Sequence, residues 1–237
     1  MVSSHCSHEG SAMNLTFVEA PAARFAAAAA NLLADELSSA IEARGVAHLA
    51  LSGGRSPWVI FGHLAELDVD WAKTHIWQVD ERVAPDRDVD RNSVGLRSSF
   101  LSSTPIPEQN IHLMDVTSLD CERAAANYAA DLARTCEGIL DCVHLGLGVD
   151  GHTASWPPHD PILEVMDRDV AMTGEYNGYR RMSLTVPCVN RARQRLFTAD
   201  SEEKLAALAA LRAADPAIPA SRVTHTNTRV LVSLSDH

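Results

Sequence analysis

Residues 145–158 read LGLGVDGHTASWPP, and within that run stand an acid, an imidazole and two hydroxyls: Asp150, His152, Thr153 and Ser155. Gly146, Gly148 and Gly151 clear side chains from the same stretch, which lets the backbone turn sharply and come close to a ligand. Imidazole titrates near neutral pH, so His152 at such a turn can take up a proton and return it. The chemistry this spacing suits is acid/base catalysis on a small molecule. A second cluster, Ser52-Gly53-Gly54-Arg55-Ser56-Pro57, brings together backbone amides, hydroxyls and a cation, the ingredients of a phosphate cradle. Taken alone, its two glycines fit an ordinary tight turn equally well. Asp80 and Arg82 of the Asp80-Glu81-Arg82 run, and Lys204 at the start of a late helix, are further candidates. A cation at a helix N-terminus is disfavoured unless an anion lies nearby, which singles out Lys204.

The elements that must position these residues alternate along the chain. Residues 15–18 suit a strand, and Pro21 opens an alanine-rich helix that Gly45 ends. Apolar residues 46–51 form a second strand running into the Ser52 turn, followed by a helix with Val59, Ile60, Leu64 and Leu67 at its apolar positions. Strand 75–79 ends in Asp80-Glu81-Arg82, three consecutive charges expected on the rim, and a solvated charged loop follows. Next come a helix from Ser93, a strand at 111–116, a helix at 120–136 and the buried strand 141–147 that delivers the histidine loop. Strands are expected at 169–173 and 180–187, then a basic segment ending in Leu196-Phe197-Thr198-Ala199. A helix capped by Asp200 or Ser201, with Leu205, Leu208 and Leu211 inward, precedes a last strand at 230–234. This alternation predicts an α/β fold, in which ligands bind at the C-terminal ends of the strands. His48, His112 and His144 fall inside strand-like runs and are expected to be hydrogen-bonded core or rim residues; Trp58, Trp71 and Trp77 are expected to pack.

The chain has 237 residues and a formal net charge of -11, which argues against a nucleic-acid or anionic-membrane surface. An anion must therefore be held locally, by a few converging cations and amides. Cys6, Cys121, Cys136, Cys142 and Cys188 lack metal-site spacing and fit reduced thiols in a cytoplasmic protein. Residues 1–13 read as a flexible tail in which His5, Cys6 and His8 need hold no metal, and 14–237 read as one domain. The alanine run at 26–30 is too short to span a membrane.

Four segments in order, SGGRSP at 52–57, VDERVAP at 79–85, GLGVDGHTASWPP at 146–158 and RRMSLTVP at 180–187, resemble the 6-phosphogluconolactonase family, within the wider group that includes glucosamine-6-phosphate deaminase. Lys204 and IPASRV at 218–223 match more loosely. The resemblance implies a three-layer α/β sandwich whose mainly parallel β-sheet is flanked by helices on both faces. It implies hydrolysis of the δ-lactone of 6-phosphogluconate, the second step of the oxidative pentose phosphate pathway, with no cofactor and no metal. The partner is then a small sugar-phosphate lactone, with no nucleic acid and no membrane, and a monomer or weak homodimer is expected. His152 matches the catalytic base. Asp80 or Asp150 would orient its ring or bind sugar hydroxyls. Amides of the 146–151 turn, Gly148 and Gly151 among them, are candidates to hold the oxyanion. Ser52, Gly53, Gly54, Arg82, Arg181 and Lys204 match the phosphate-holding positions.

The chain departs from the family at Ser56, where threonine is more usual, and at Trp156-Pro157-Pro158, where Leu-Phe before proline is usual and a changed pocket wall is expected. Arg91-Asn92-Ser93 replaces a usual Ser-Asn pair, which leaves any substrate contact there open. A deaminase would carry a reacting glutamate where Pro157 stands. A non-catalytic sugar-phosphate sensor would keep the anchor, could lose the histidine, and would usually carry an effector domain.

Overall fold

The structure, a computed structural model, describes residues 15–234, so the expected tail at 1–13, with His5, Cys6 and His8, lies outside the described residues. Strand β1 (Thr16–Pro21) leads into α1 (Phe25–Arg44), which ends where Gly45, at φ 79°, donates its amide to the Ile41 carbonyl. Then follow β2 (Ala47–Leu51), α2 (Arg55–Ala65), β3 (Thr74–Gln78), β4 (Asp80–Arg82), α3 (Asn92–Ser99), β5 (Ile111–His112), α4 (Cys121–Cys136) and β6 (Cys142–Gly146). The chain continues through β7 (Val170–Met172), β8 (Arg181–Leu184), α5 (Val186–Arg191), β9 (Gln194–Ala199), α6 (Leu205–Arg212) and β10 (Thr228–Leu234). Seven strands form a sheet in the order β1-β10-β9-β6-β2-β3-β5, with every pairing parallel.

Side chains that alternate along these strands divide the interior in two. Leu49, Leu51, Ile76, Leu196 and Leu231 pack with Leu33 and Leu37 of α1, Ile60 and Leu64 of α2, and Leu96 of α3. Their neighbours Ala50, Trp77, Phe197 and Val230 face the other way, against Leu132 of α4, Val189 of α5 and Leu208 of α6. The sheet is thus the middle layer of three, as the resemblance implied, and near-continuous apolar strands are what burial on both faces demands.

Several local expectations are corrected. Val59 and Leu205 are more than half exposed, because the inner stripes run through Ile60, Phe61 and Leu64 in α2 and through Ala207, Leu208 and Leu211 in α6. The 111–116 strand is only β5, since the amide of Met114 donates to the Gln78 side chain and leaves the ladder. The 180–187 strand stops at Leu184, and Pro187 sits in the first turn of α5, where its missing N–H costs nothing. Neither Asp200 nor Ser201 caps a helix with its side chain, and a 3-10 turn at Glu202–Lys204 precedes α6. Asp80 and Glu81 are buried, not on the rim. They form β4, which pairs antiparallel with β8, itself paired with β7, in a small second sheet that covers them.

The three strand histidines are packed as expected of core or rim residues. Burial pushes the pKa of His48 and of His112 down to about 4, and that of His144 down to about 3. Trp77 lies flat on His112, with ring centres 3.6 Å apart, and donates its indole N–H to Nδ1 of His48 at 3.3 Å, a bond that requires neutral imidazole. A folded pKa below the free value of 6.5 means that the unfolded chain binds more protons. The resulting stability is complete above pH 6.5 and lost as pH falls towards the folded values near 4. The urea midpoint is therefore expected to hold above pH 7 and to drop steeply between pH 6.5 and 4; an equal midpoint at both ends would contradict it.

Candidate active site

A cleft of about 620 Å³ opens at the C-terminal ends of β2, β6 and β9. From β2 the strand order runs one way to β3 and β5, and from β6 the other way to β9, β10 and β1. Loops diverge at such a reversal and leave a crevice between them. Ser52, Gly53 and Gly54 line it from β2, Asp80 and Arg82 from β4, Gly148 and His152 from the loop after β6. Arg181 enters from β8, and Lys204 from the turn before α6. Asp150 and Gly151 are not in its wall.

Residues 52–57 bring the N-terminus of α2 to this wall, where amides of the first turn have no partner within the helix. The Ser52 hydroxyl donates to the carbonyl of His144 at 2.9 Å and ties the turn to β6. An added Cβ at position 53 would lie 2.0 Å from the Asn92 side chain, so a larger residue there would displace Asn92. Asn92 also lines the cleft, and its Nδ2 donates to the Asp80 carbonyl at 2.9 Å.

The histidine loop is held from within. Gly148 donates its amide to the His152 carbonyl at 2.8 Å, Gly151 donates to Gly148 at 3.0 Å, and the Thr153 hydroxyl donates to Gly146 at 2.8 Å. Behind the loop, the amide of Ala220 donates to the Gly151 carbonyl at 2.9 Å, which accounts for the loosely matching 218–223 segment. The Gly148 and Gly151 amides are thus already engaged, and the expectation that they hold an oxyanion is corrected. Gly148 instead makes room, since a Cβ there would stand 2.1 Å from Nδ1 of His152.

Between the two acids the geometry is decisive. Asp150 Oδ1 lies 2.6 Å from Nδ1 of His152, and its Oδ2 accepts the Tyr176 hydroxyl at 2.9 Å. Burial works to raise the Asp150 pKa, but the hydrogen bonds from His152 and Tyr176 outweigh it and hold the carboxyl below its ordinary value. A carboxylate only accepts, so the proton of neutral His152 resides on Nδ1 and Nε2 keeps its lone pair. Asp80 makes no such contact. It is buried under the cleft and accepts the Ser155 hydroxyl at 2.6 Å; burial pushes its pKa up, while Ser155, Arg181 and Arg82 oppose the rise.

The cations converge across the strand pair. Arg82 of β4 stands opposite Arg181 of β8 in register, and Lys204 Nζ donates to Asp200 at 3.0 Å on the far wall. Like charges directly opposite repel, so an anion between them is favoured. Arg181 is only 7% exposed, and its buried Nε has no hydrogen-bond partner among the described residues.

Four features escaped the sequence reading. Glu81, wholly buried, accepts the amides of Arg82, Asn92 and Ser93 and the Gln78 side chain, and so fixes β4 to the start of α3. A charge inside a charged run gives no sign of burial. Tyr176 lies far from the loop in sequence and meets it only through the β7–β8 connection. Thr198 lines the cleft and pairs with Nε2 of the buried His144 at 2.9 Å, while Nδ1 of that ring has no partner among the described residues. A proton on Nε2 leaves no buried N–H unsatisfied, and makes Thr198 an acceptor whose own hydrogen is free for the cleft. Finally, Trp156 is fully buried and donates Nε1–H to the Leu184 carbonyl at 2.7 Å; it is core, which corrects the expected change of pocket wall.

Among the described residues, no helix is long and apolar enough to cross a membrane, and no group of three or more His, Cys, Asp or Glu side chains is placed to hold a metal ion.

A family model described as glucosamine-6-phosphate isomerases/6-phosphogluconolactonase matches residues 20–232. The chain is 37% identical over 188 residues to a 6-phosphogluconolactonase of Synechocystis sp., covering 76% of this chain and 78% of that protein. It is 32% identical over 203 residues to one of Streptomyces coelicolor, covering 78% and 77%. Its fold is similar to that of a 6-phosphogluconolactonase from Thermotoga maritima, with a TM-score of 0.84 at 24% identity over 93% of this chain and 99% of that one.

Proposed function

The chain belongs to the glucosamine-6-phosphate isomerase/6-phosphogluconolactonase family, and on that premise we propose that its cleft hydrolyses 6-phospho-D-glucono-1,5-lactone to 6-phosphogluconate. The observation that carries this reading is that a histidine with a fixed Nδ1 shares one cleft with Arg82, Arg181 and Lys204. The phosphate lies among those cations and the amides at 53–55. The lactone ring then extends to His152. Nε2 takes a proton from water as its oxygen attacks the carbonyl carbon. The tetrahedral intermediate collapses, the bond from that carbon to the ring oxygen breaks, and the ring oxygen receives the proton from Nε2. Asp150 holds the ring and stabilises the transient imidazolium. Asp80, at the floor, accepts a sugar hydroxyl.

A lactone is an activated ester, so one oriented base accounts for much of the acceleration, on the order of 10²–10⁴-fold. Deaminase chemistry would need a carboxylate where Pro157 stands, and lactone hydrolysis needs none. Acid release from fresh lactone, compared with ammonia release from glucosamine 6-phosphate, separates the two activities.

Arg82 is half-buried at the mouth, and its guanidinium donates to the Asp90 carbonyl. Arg82→Ala is expected to raise KM about tenfold, one charge-assisted hydrogen bond's worth, with little change in kcat or unfolding midpoint. An unchanged KM would remove Arg82 from the anchor.

A further inference from the structure

Resting on the reading of His152 as the base, we infer that Tyr176 is a positioning residue that couples this base to the phosphate anchor. It stands on the turn joining β7 to β8. Asn177 and Gly178 take left-handed φ of 50° and 80° there, and the Tyr176 amide donates to the Tyr179 carbonyl at 3.0 Å, the geometry of a two-residue hairpin. That tight turn fixes the tyrosine backbone, and its side chain then touches both halves of the site.

The hydroxyl donates to Oδ2 of Asp150 at 2.9 Å, while Oδ1 of the same carboxylate holds His152 at 2.6 Å. Two oxygens held by two partners leave the carboxylate no freedom to rotate away from the imidazole. The tyrosine ring also meets the His152 ring edge-on at 5.7 Å between centres. Its face lies 5.3 Å from the guanidinium carbon of Arg181, and Arg181 Nη2 donates to the Tyr176 carbonyl at 3.4 Å. The base dyad and the most buried cation of the anchor therefore share one neighbour. The hairpin is itself braced, since the Tyr179 hydroxyl donates to Asp90, whose carbonyl receives Arg82.

The hydroxyl and the ring are separable. Tyr176→Phe keeps the ring over Arg181 and removes the donor to Asp150. A carboxylate without that donor carries more charge towards His152 and stabilises imidazolium more. The other charged groups of the cleft, Arg55, Asp80, Arg82, Asp200, Glu203 and Lys204, stay in place together with Arg181, so a change in titration reports the lost hydroxyl.

The test uses the full chain with Tyr176→Phe and Tyr176→Leu, and combines NMR titration of the His152 ring with kcat and KM on 6-phosphogluconolactone. The phenylalanine variant is expected to titrate at His152 a few tenths of a pH unit higher, with the acid limb of kcat/KM moving likewise. Its kcat should fall about fivefold, with KM within twofold of the parent. The leucine variant should in addition raise KM about fivefold, through loss of the ring beside Arg181. A phenylalanine variant whose His152 titration is unmoved or moves to lower pH overturns the proposal, whatever happens to kcat, because a merely structural tyrosine would leave the titration alone. If the parent chain does not open the lactone, the lactonase reading fails, while the NMR titration still decides the link from Tyr176 to His152.

Discussion

Replacing His152 with alanine is expected to lower kcat on 6-phosphogluconolactone about a thousandfold, within the range that a positioned general base supplies. The fold should not register the loss. The His152 side chain is 30% exposed, its polar contact among the described residues is with Asp150, and the loop is held by the Gly148, Gly151 and Thr153 bonds, none of which involves the ring. The anchor is untouched as well, so KM should stay within a factor of two or three. This pattern, kcat lost with KM and unfolding midpoint kept, marks a group that acts in the transition state. An alanine variant with parental kcat would reject His152 as the base.

The second large effect is expected at Arg181. Arg181→Met should raise KM for the phosphorylated lactone at least a hundredfold, because a buried guanidinium forms two charge-assisted hydrogen bonds to a phosphate, each contributing about 1.5 kcal/mol or more. Its Nε has no partner among the described residues, and burial lowers its pKa despite the opposing charge of Asp80. The same substitution removes a compensating charge beside the buried Asp80, so some loss of stability is expected and the KM is to be read at a temperature where both proteins are fully folded. The control is the same lactone without phosphate, on which parent and variant should act equally slowly. Equal KM values on the phosphorylated substrate would place the phosphate elsewhere.

Features of the fold that depend on local pattern were legible in the sequence. Apolar runs of strand length, Gly45 as a helix stop and the glycine spacing of residues 146–151 place loops at strand ends without reference to distant residues. Partnerships between remote segments were not. Nothing near Asp80 announces that Ser155 will claim its carboxylate, or that Tyr176 will choose Asp150 and so separate the roles of the two acids. Glu81 is the clearest case. A carboxylate is buried only where donors converge, and two of its donors, the amides of Asn92 and Ser93 at the start of α3, lie 11 and 12 residues on in sequence yet within 2.8 Å of it in space. The Gly148 and Gly151 amides show the reverse error: glycines at a ligand loop suggest free donors, yet the loop uses both to hold its own shape.

The most direct test of the central claim is the rate of acid release when the purified chain is added to freshly formed 6-phosphogluconolactone, set against spontaneous ring opening and against the unphosphorylated lactone. Strong acceleration is expected on the phosphorylated lactone, and little on the other, since the cations and the imidazole act on one molecule only when its phosphate is present. Opening of both lactones at their uncatalysed rates would contradict it.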